Sequence, residues 1–300
     1  MPETIAIQFT RFSAFYSPLI VTILGGFLEE EGLEAAHKVA TPDKSPVAAL
    51  QDGTAHVIQS AVSQGFGFCE RGETPSVAHF AQINERDGFF IAGRAADPAF
   101  TWDKLRAGRV LVDHAGQPLA MFKFACQQVG LDYAALDAVD AGNPSEMEAA
   151  FRGGEGDFIH LQGPAPQQLE QEGIAHVLAS VGAAIPPCAF SSLAATRDWL
   201  ESDMAQAFTR AYRKARAWLI ETPADEVAAL ERPLFPEVAP ETLSATIAVY
   251  QELGCWTPHI EITRDAFEVS LDVFLHAGRI TQRHPYEAIV AAPPACAKPR

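Results

Sequence analysis

The sequence lacks the residue clusters on which most metal, redox and nucleophilic sites depend. Its five cysteines are scattered and form no C-x-x-C pair: Cys69, Cys126, Cys188, Cys255 and Cys296. This odd, scattered set argues against a disulfide framework and against a structural zinc site. The sequence also has no H-E-x-x-H, G-x-S-x-G, P-loop or dinucleotide-binding glycine motif, and its nine histidines show no ligand spacing. We therefore expect no metal, no cofactor and no enzyme activity.

Positive charge and long apolar runs are scarce as well. The chain has 22 Lys and Arg residues against 38 Asp and Glu residues, which gives a formal net charge of −16. Such a field repels nucleic acids and anionic membrane surfaces, and an anionic ligand would need local donors to overcome it. The longest apolar run, residues 15–28, is interrupted by Pro18, Gly25 and Gly26 and is too short to span a bilayer. We expect no nucleic acid partner and no membrane span.

Strand and helix patterns alternate from the start of the chain. Residues 5–9 alternate between apolar and polar side chains, which predicts a strand where a secretory leader would otherwise stand. Ser17 followed by Pro18 predicts an N-cap and a first-turn proline, and Ser45 with Pro46 repeats the device. The resulting β-α-β-α-β order predicts parallel strands joined by crossover helices, with ligand sites in the loops after the strands.

The chain is long enough for more than one hydrophobic core. Its 300 residues exceed what a single core usually serves, which favours two compact units. A second α/β pattern begins near Gly93, and helical spacing dominates from Asp198 onward. The sequence therefore predicts an α/β protein with two lobes and a mostly helical C-terminal third.

Five sequence blocks, taken in order, resemble those shared by one group of solute-binding proteins. The group serves ABC importers of nitrate, taurine, aliphatic sulfonates and thiamine pyrimidines. The order and spacing of the blocks carry the resemblance, which extends over residues 9–280. The blocks are Tyr16–Leu19 with Gly26–Leu33, Ala48–Val57, Trp102–Val110, Ala149–Asp157 and Phe274–Ile280.

This resemblance implies the fold of a type II periplasmic binding protein, an α/β architecture of two Rossmann-like lobes joined by a two-crossover hinge. Lobe I would be discontinuous, formed by residues 1–90 and 188–290. Lobe II would comprise residues 91–187, and residues 291–300 would be a flexible tail. The crossovers are expected near Phe89–Gly93 and near Pro186–Phe190. A ligand would lie between the lobes and be enclosed by hinge closure.

The resemblance further implies a solute-binding protein of an ABC importer, with a permease and an ATPase as partners. Pro118 removes one backbone donor from the loop that would cradle an oxyanion, so a thiamine-pyrimidine-like ligand is favoured over sulfonate or nitrate. The resemblance places the protein in the periplasm, whereas the absence of a recognisable leader leaves the cytoplasm open. A cytoplasmic enzyme or sensor that reuses the fold, similar to the thiamine-pyrimidine synthases or the desulfinases, is the alternative.

Ten residues that follow predicted strands are candidate contacts to a small-molecule ligand. Aromatic rings could stack on a flat heterocycle, and amide, hydroxyl, imidazole and guanidinium groups could hydrogen-bond to a polar solute. The candidates are Phe15, Tyr16, Gln59, Ser60, Asn84, Arg86, His114, Gln117, His160 and Gln162.

Several of these candidates have a structural alternative. The aromatic residues after the first strand could pack beneath the following helix. Ser60 could cap a helix, and Arg86 could be a solvated charge paired with Asp87. His160 and Gln162 bracket a strand end before a proline-led helix, and we expect one of them to contact the ligand unless they form only a surface turn.

Overall fold

A computed structural model of the protein describes residues 2–41 and 43–295, and its strands form two sheets of five strands each. The strands are β1 Glu3–Phe9, β2 Leu33–Val39, β3 Val57–Ser60, β4 Val77–Asn84, β5 Phe89–Gly93, β6 Arg109–Leu111, β7 Asp137–Val139, β8 Phe158–Gln162, β9 His176–Ser180 and β10 Ser191–Thr196. The first sheet has the order β2-β1-β3-β10-β4, and the second has the order β7-β6-β8-β5-β9.

Helices cover the sheets and make up most of the C-terminal third. They are α1 Ser17–Leu24, α2 Pro46–Gln51, α3 Ser63–Glu70, α4 Gly116–Gln128, α5 Pro144–Arg152, α6 Ala165–Gln171, α7 Val181–Ala184, α8 Arg197–Leu200, α9 Asp203–Glu221, α10 Ala224–Glu231, α11 Pro240–Glu252, α12 Arg264–His276 and α13 Tyr286–Ile289. Among the described residues, no helix is both long enough and apolar enough to cross a membrane.

The two predicted Ser-Pro helix starts have different outcomes. At α2 the Ser45 hydroxyl accepts a hydrogen bond from Ala48 N at 3.1 Å, so this N-cap is confirmed. At α1 the predicted cap is wrong, because Ser17 is already helical and its hydroxyl donates to Ala14 O at 2.6 Å. Ser13 instead caps a short 3-10 turn that precedes α1, and this turn redirects the chain after β1.

Each sheet contains one antiparallel strand, which corrects the expectation of purely parallel sheets. In the first sheet β10 runs antiparallel to both β3 and β4, and in the second β5 runs antiparallel to both β8 and β9. Both are the first strand that the chain forms after it leaves the other sheet. In each sheet the parallel strands end on the side that faces the other sheet. The chain enters on this same side, so the strand that it forms first runs antiparallel to the others.

Two short connections join the sheets. The chain leaves the first sheet after Asn84 and enters the second at Phe89, and it returns through the residues before Ser191. The Arg86 guanidinium binds one connection to the other, since its Nη1 lies 3.2 Å from Gly182 O and 3.4 Å from Ile185 O. We propose that these connections are the hinge and that the lobes have the boundaries expected above, 1–90 with 188–290 and 91–187.

The end of the described chain returns to the first sheet. Val290 forms an isolated bridge with His79 of β4, and Ala291 N donates to His79 O at 2.9 Å. The predicted flexible tail begins at this point. Residues 296–300, which include Cys296, lie outside the described residues, so the flexibility of the tail stays a prediction.

Candidate functional site

A cleft of about 910 Å³ is lined by residues from both sheets. Its lining comes from the loop after β1, the end of β3, the first turns of α2, α3 and α4, the end of β8 and the chain around Phe190. A volume of this size fits a small organic molecule. The parallel strands β1, β3 and β8 end at or just before residues that line this cleft, which is where open α/β sheets place their ligands.

Five of the ten predicted contacts line the cleft: Tyr16, Gln59, Ser60, Gln117 and Gln162. All except Gln117 are buried. The other five predicted contacts are Phe15, Asn84, Arg86, His114 and His160, and none of them is among the residues that line the cleft. All ten stay predicted ligand contacts.

Two glutamine side chains at the floor of the cleft differ in their hydrogen bonding. The Gln59 carboxamide oxygen accepts a bond from Thr10 N at 3.0 Å and a second from the Thr10 hydroxyl, which leaves its NH₂ group for a ligand. Gln162 is 8% exposed, and neither its oxygen nor its nitrogen has a hydrogen-bond partner within the described residues. A buried amide without partners costs free energy, and a solute that offers both a donor and an acceptor would remove this cost.

Aromatic rings line the same cleft. Tyr16, Phe89 and Phe190 are at most 5% exposed, and the ring centroids of Phe89 and Phe190 lie 6.5 Å apart at 40°. Phe66 and Phe274 pack edge to face at 5.3 Å on the side of α3 and α12. Flat faces of this kind offer a ligand ring area and offset stacking, which a small inorganic anion cannot use.

Gln117 connects the two sides of the cleft. It lies in the first turn of α4, where its Oε1 accepts a bond from the Ser63 hydroxyl of α3 at 2.7 Å. Its Nε2 donates to Phe190 O at 2.8 Å. A second link is the bond from the Ser13 hydroxyl to Gly163 O at 2.8 Å. These bonds hold the sheets in the arrangement described here and would have to break if the cleft opened.

His160 is enclosed beneath the cleft. Its ring stacks on Phe89 with centroids 4.6 Å apart and lies 4.8 Å from the ring of Phe122 on α4. Burial, with a smaller effect from His114, lowers the pKa of His160 to about 3. Neither ring nitrogen has a hydrogen-bond partner among the described residues. His160 is therefore neutral at physiological pH and serves as part of an aromatic stack.

Three other predicted contacts have structural partners in this arrangement. Asn84 is fully buried, and its Nδ2 donates to Phe15 O at 2.5 Å. The Phe15 ring packs against Phe190 and Tyr250, each at 5.2 Å between centroids. The ring of His114 bonds to Val112 O at 2.7 Å through Nδ1. These side chains shape the walls behind the cleft rather than its surface.

Two carboxyl groups lie buried near the first connection. Asp87 and Asp113 are at most 2% exposed, and each uses one oxygen for a backbone N–H, from Phe89 at 2.6 Å and from Ala115 at 2.9 Å. The second oxygen of each has no partner within the described residues. Burial, with a smaller contribution from Asp113, raises the pKa of Asp87 to about 7.

Three arginines line the cleft, and none of them is among the ten predicted ligand contacts. They are Arg11 after β1, Arg71 after α3 and Arg279 after α12. No Asp or Glu is among the lining residues, although acidic residues outnumber basic ones in the chain. Arg11 lies inside the predicted ligand loop after β1, and this position in the sequence could have identified it as a candidate ligand contact.

The described residues offer little for thiolate or metal chemistry. Burial raises the pKa of Cys126 to about 12 and also raises those of Cys69, Cys188 and Cys255, so these thiols stay protonated near neutral pH. Within the same residues there is no group of three or more His, Cys, Asp or Glu side chains that could hold a metal ion.

A family model and one relative match most of the chain. The model described as NMT1/THI5 like matches residues 14–226, which is well over half of the chain. The protein YtlA of Bacillus subtilis (strain 168) is 24% identical over 283 residues, which make up 93% of this chain and 84% of YtlA. The sequence resemblance to this broad group of proteins is therefore confirmed.

Solved structures share the fold at low sequence identity. The periplasmic aliphatic sulphonate binding protein SsuA from Escherichia coli superposes with a TM-score of 0.74 at 15% identity, over 97% of this chain and 98% of that chain. The ligand binding component of an ABC-type import system from Staphylococcus aureus gives 0.71 at 15% identity, over 98% and 100%. These likenesses confirm the predicted α/β fold of two lobes, each of which is built on a mixed sheet of five strands.

Proposed function

Because this chain belongs to the NMT1/THI5-like family, we propose that it is the solute-binding protein of an ABC importer and that it captures one small molecule in the cleft. The observation that carries the proposal is the cleft itself, lined from both sheets and crossed by the Gln117 bridge. A permease and an ATPase would be its partners, and the periplasmic side of the membrane its place of action.

We further propose that the solute is a planar heteroaromatic molecule of the thiamine-pyrimidine kind rather than nitrate or an alkyl sulfonate. Phe89, Phe190 and Tyr16 supply apolar ring faces. Gln59 and Gln162 supply amide groups that match the ring nitrogens and amino group of a pyrimidine. A bare inorganic anion would leave the aromatic area of the cleft unused.

The proposal is of binding without chemical change. We expect 4-amino-5-hydroxymethyl-2-methylpyrimidine or a close analogue to raise the melting temperature of the protein in a saturable way. Mass spectrometry should recover the compound unaltered after long incubation. Conversion of the compound by the purified protein would contradict a binding function and favour the alternative of an enzyme.

Two glutamines give a matched test of the site. Gln59→Leu removes the amide at the cleft floor, whereas Gln51→Leu makes the same change at an exposed position on the rim. We expect the first variant to weaken binding at least tenfold and the second to change it less than threefold, measured by isothermal titration. Equal effects, or a panel of pyrimidines that never shifts melting, would refute the proposed site and ligand.

A further inference from the structure

The cleft is more basic than the rest of the molecule. The whole chain has a formal charge of −16, yet three arginines and no acidic residue line the cleft. A neutral ligand would need no such exclusion of carboxylates. The bias supplies the local donors that an anionic ligand would need to overcome the overall field.

The three arginines are not equivalent. Arg71 is exposed and already paired, with Nε and Nη2 at 3.1 and 2.9 Å from the carboxylate oxygens of Glu73. Arg279 is exposed at the rim, where water screens its charge. Arg11 is half-buried directly after β1 and makes no hydrogen bond or ion pair through its guanidinium within the described residues.

The surroundings of Arg11 favour an anion over a cation. Its neighbour Thr10 uses both N–H and hydroxyl to hold Gln59 Oε1, so the free end of Gln59 is a donor. Gln162, more than nine-tenths buried and without partners, adds an amide at the floor of the same cleft. The first turn of α4, at Gly116 and Gln117, directs its positive dipole end to the cleft and adds a mild preference of the same sign.

We propose that the solute carries an oxyanionic group, a carboxylate or a phosphate, on its ring, and that Arg11 binds this group. The planar guanidinium presents paired N–H donors that match two oxygens of either group. The proposal rests on the proposed function, in which the ring of the solute occupies the aromatic part of the cleft. It adds the charge of the ligand and the residue that determines this specificity.

Three pyrimidines test the proposal by isothermal titration. They are 4-amino-5-hydroxymethyl-2-methylpyrimidine, its phosphate monoester and 4-amino-2-methylpyrimidine-5-carboxylate. With the wild-type protein we expect at least one acidic compound to bind ten times or more as tightly as the neutral one. The comparison of phosphate with carboxylate identifies the oxyanion. Raising the salt concentration should weaken the acidic compound and leave the neutral one nearly unchanged.

Variants assign the effect to Arg11. Arg11→Gln should weaken the acidic compound at least thirtyfold and the neutral one less than threefold, whereas Arg11→Lys should recover part of the loss. Arg106→Gln is the matched control, because it makes the same change at an exposed position outside the cleft lining, and it should change either affinity less than threefold. Melting temperatures of the free variants check that all of them fold.

The outcomes separate this inference from the proposed function. Equal binding of neutral and acidic pyrimidines, or an equal loss of both in Arg11→Gln, would overturn the inference and leave the binding function standing. A third outcome is that the protein binds ethanesulfonate or nitrate but no pyrimidine, and that only Arg11→Gln loses this binding. This outcome would overturn the proposal of a ring-bearing solute but support Arg11 as an oxyanion site. If no compound binds at all, both are overturned.

Discussion

The cleft and two buried carboxyl groups of the interior differ in the sign and in the exposure of their charge. The cleft holds arginines that water or a ligand can solvate, and it contains no carboxylate. The interior holds Asp87 and Glu231, both fully buried and, within the described residues, without an ion-pair partner. Burial raises the pKa of Asp87 to about 7 and that of Glu231 to about 8. These two buried carboxyl groups therefore keep their protons to a higher pH than exposed ones, whereas the charged side chains that line the cleft are positive.

The strongest way to break this contrast is to place a carboxylate in the cleft. Gln162→Glu introduces a negative charge at the floor, and we expect it to weaken binding of the solute more than a hundredfold, because the charge repels an oxyanion and removes a donor. Gln64→Glu, at an exposed position of the same lining, should have less than a threefold effect. Titration calorimetry measures both.

A second variant protects this test against misfolding. Gln162→Leu removes the amide without adding a charge and should reduce affinity at least tenfold, with an equal or higher melting temperature for the free protein. Unchanged affinity in both Gln162 variants would show that the cleft floor does not contact the solute.

The interior carboxyl groups predict a falling stability with rising pH. Their folded pKa values lie above the ordinary 3.8 and 4.5, so the folded protein keeps protons that the unfolded chain releases. The contribution of these two groups to the free energy of unfolding should therefore decline from pH 5 to about pH 8, by about 3 kcal/mol for each group. Urea unfolding across this range measures the slope.

Amide variants identify the groups that cause the slope. Asp87→Asn and Glu231→Gln should each flatten the pH profile and stabilise the protein at pH 8. Asp52→Asn is the control, since the hydrogen bond from Lys44 lowers the pKa of exposed Asp52 to about 2, outside this window. A profile that keeps its slope in the double variant would show that the buried carboxyl groups are ionised after all.

A smaller effect should follow from cutting the bridge across the cleft. Gln117→Ala removes the bonds to Ser63 Oγ and Phe190 O. We expect a three- to tenfold loss of affinity and a larger radius of gyration for the free protein in solution scattering, because fewer bonds hold the sheets together. Gln128→Ala, exposed at the other end of α4, should change neither quantity.

The smallest effect should come from His160. His160→Leu loses no hydrogen bond within the described residues and keeps an apolar contact with Phe89 and Phe122. We expect a change of affinity below threefold and a change of stability below about 1 kcal/mol. A large loss of affinity here, with Gln162→Leu unaffected, would reverse the assignment of these two residues.

The comparison of His160 with Gln162 shows what sequence reasoning could not decide. The two side chains are two residues apart on β8 and therefore point to the same face of the sheet. Phe122 of α4 covers His160, whereas Gln162 lies at the end of the strand and reaches the cleft. Which residues of a strand are covered by a helix depends on tertiary packing, and a local sequence pattern does not predict it.

The residues of the loop after β1 also divide into those that line the cleft and those that pack in the interior. The predicted loop after β1 does line the cleft, but through Tyr16 and Arg11, while Phe15 turns inward against Phe190 and Tyr250. Phe15 lies in the 3-10 turn capped by Ser13, and this turn determines the orientation of its ring. The pattern of aromatic residues alone is compatible with a ring in the cleft or a ring in the interior. The predicted strand-end loops were therefore more informative than the individual residues chosen within them.

The sequence by itself determined the α/β class, most strand and helix positions and the shortage of reactive clusters, because hydrophobic periodicity, caps and composition are local properties. Only the tertiary structure decided that β5 and β10 run antiparallel, that the cleft lining contains no acidic residue and that Arg11 and Gln162 lie there without partners among the described residues. These features depend on where the chain crosses between the sheets. Residues far apart in sequence meet only when both crossings are made.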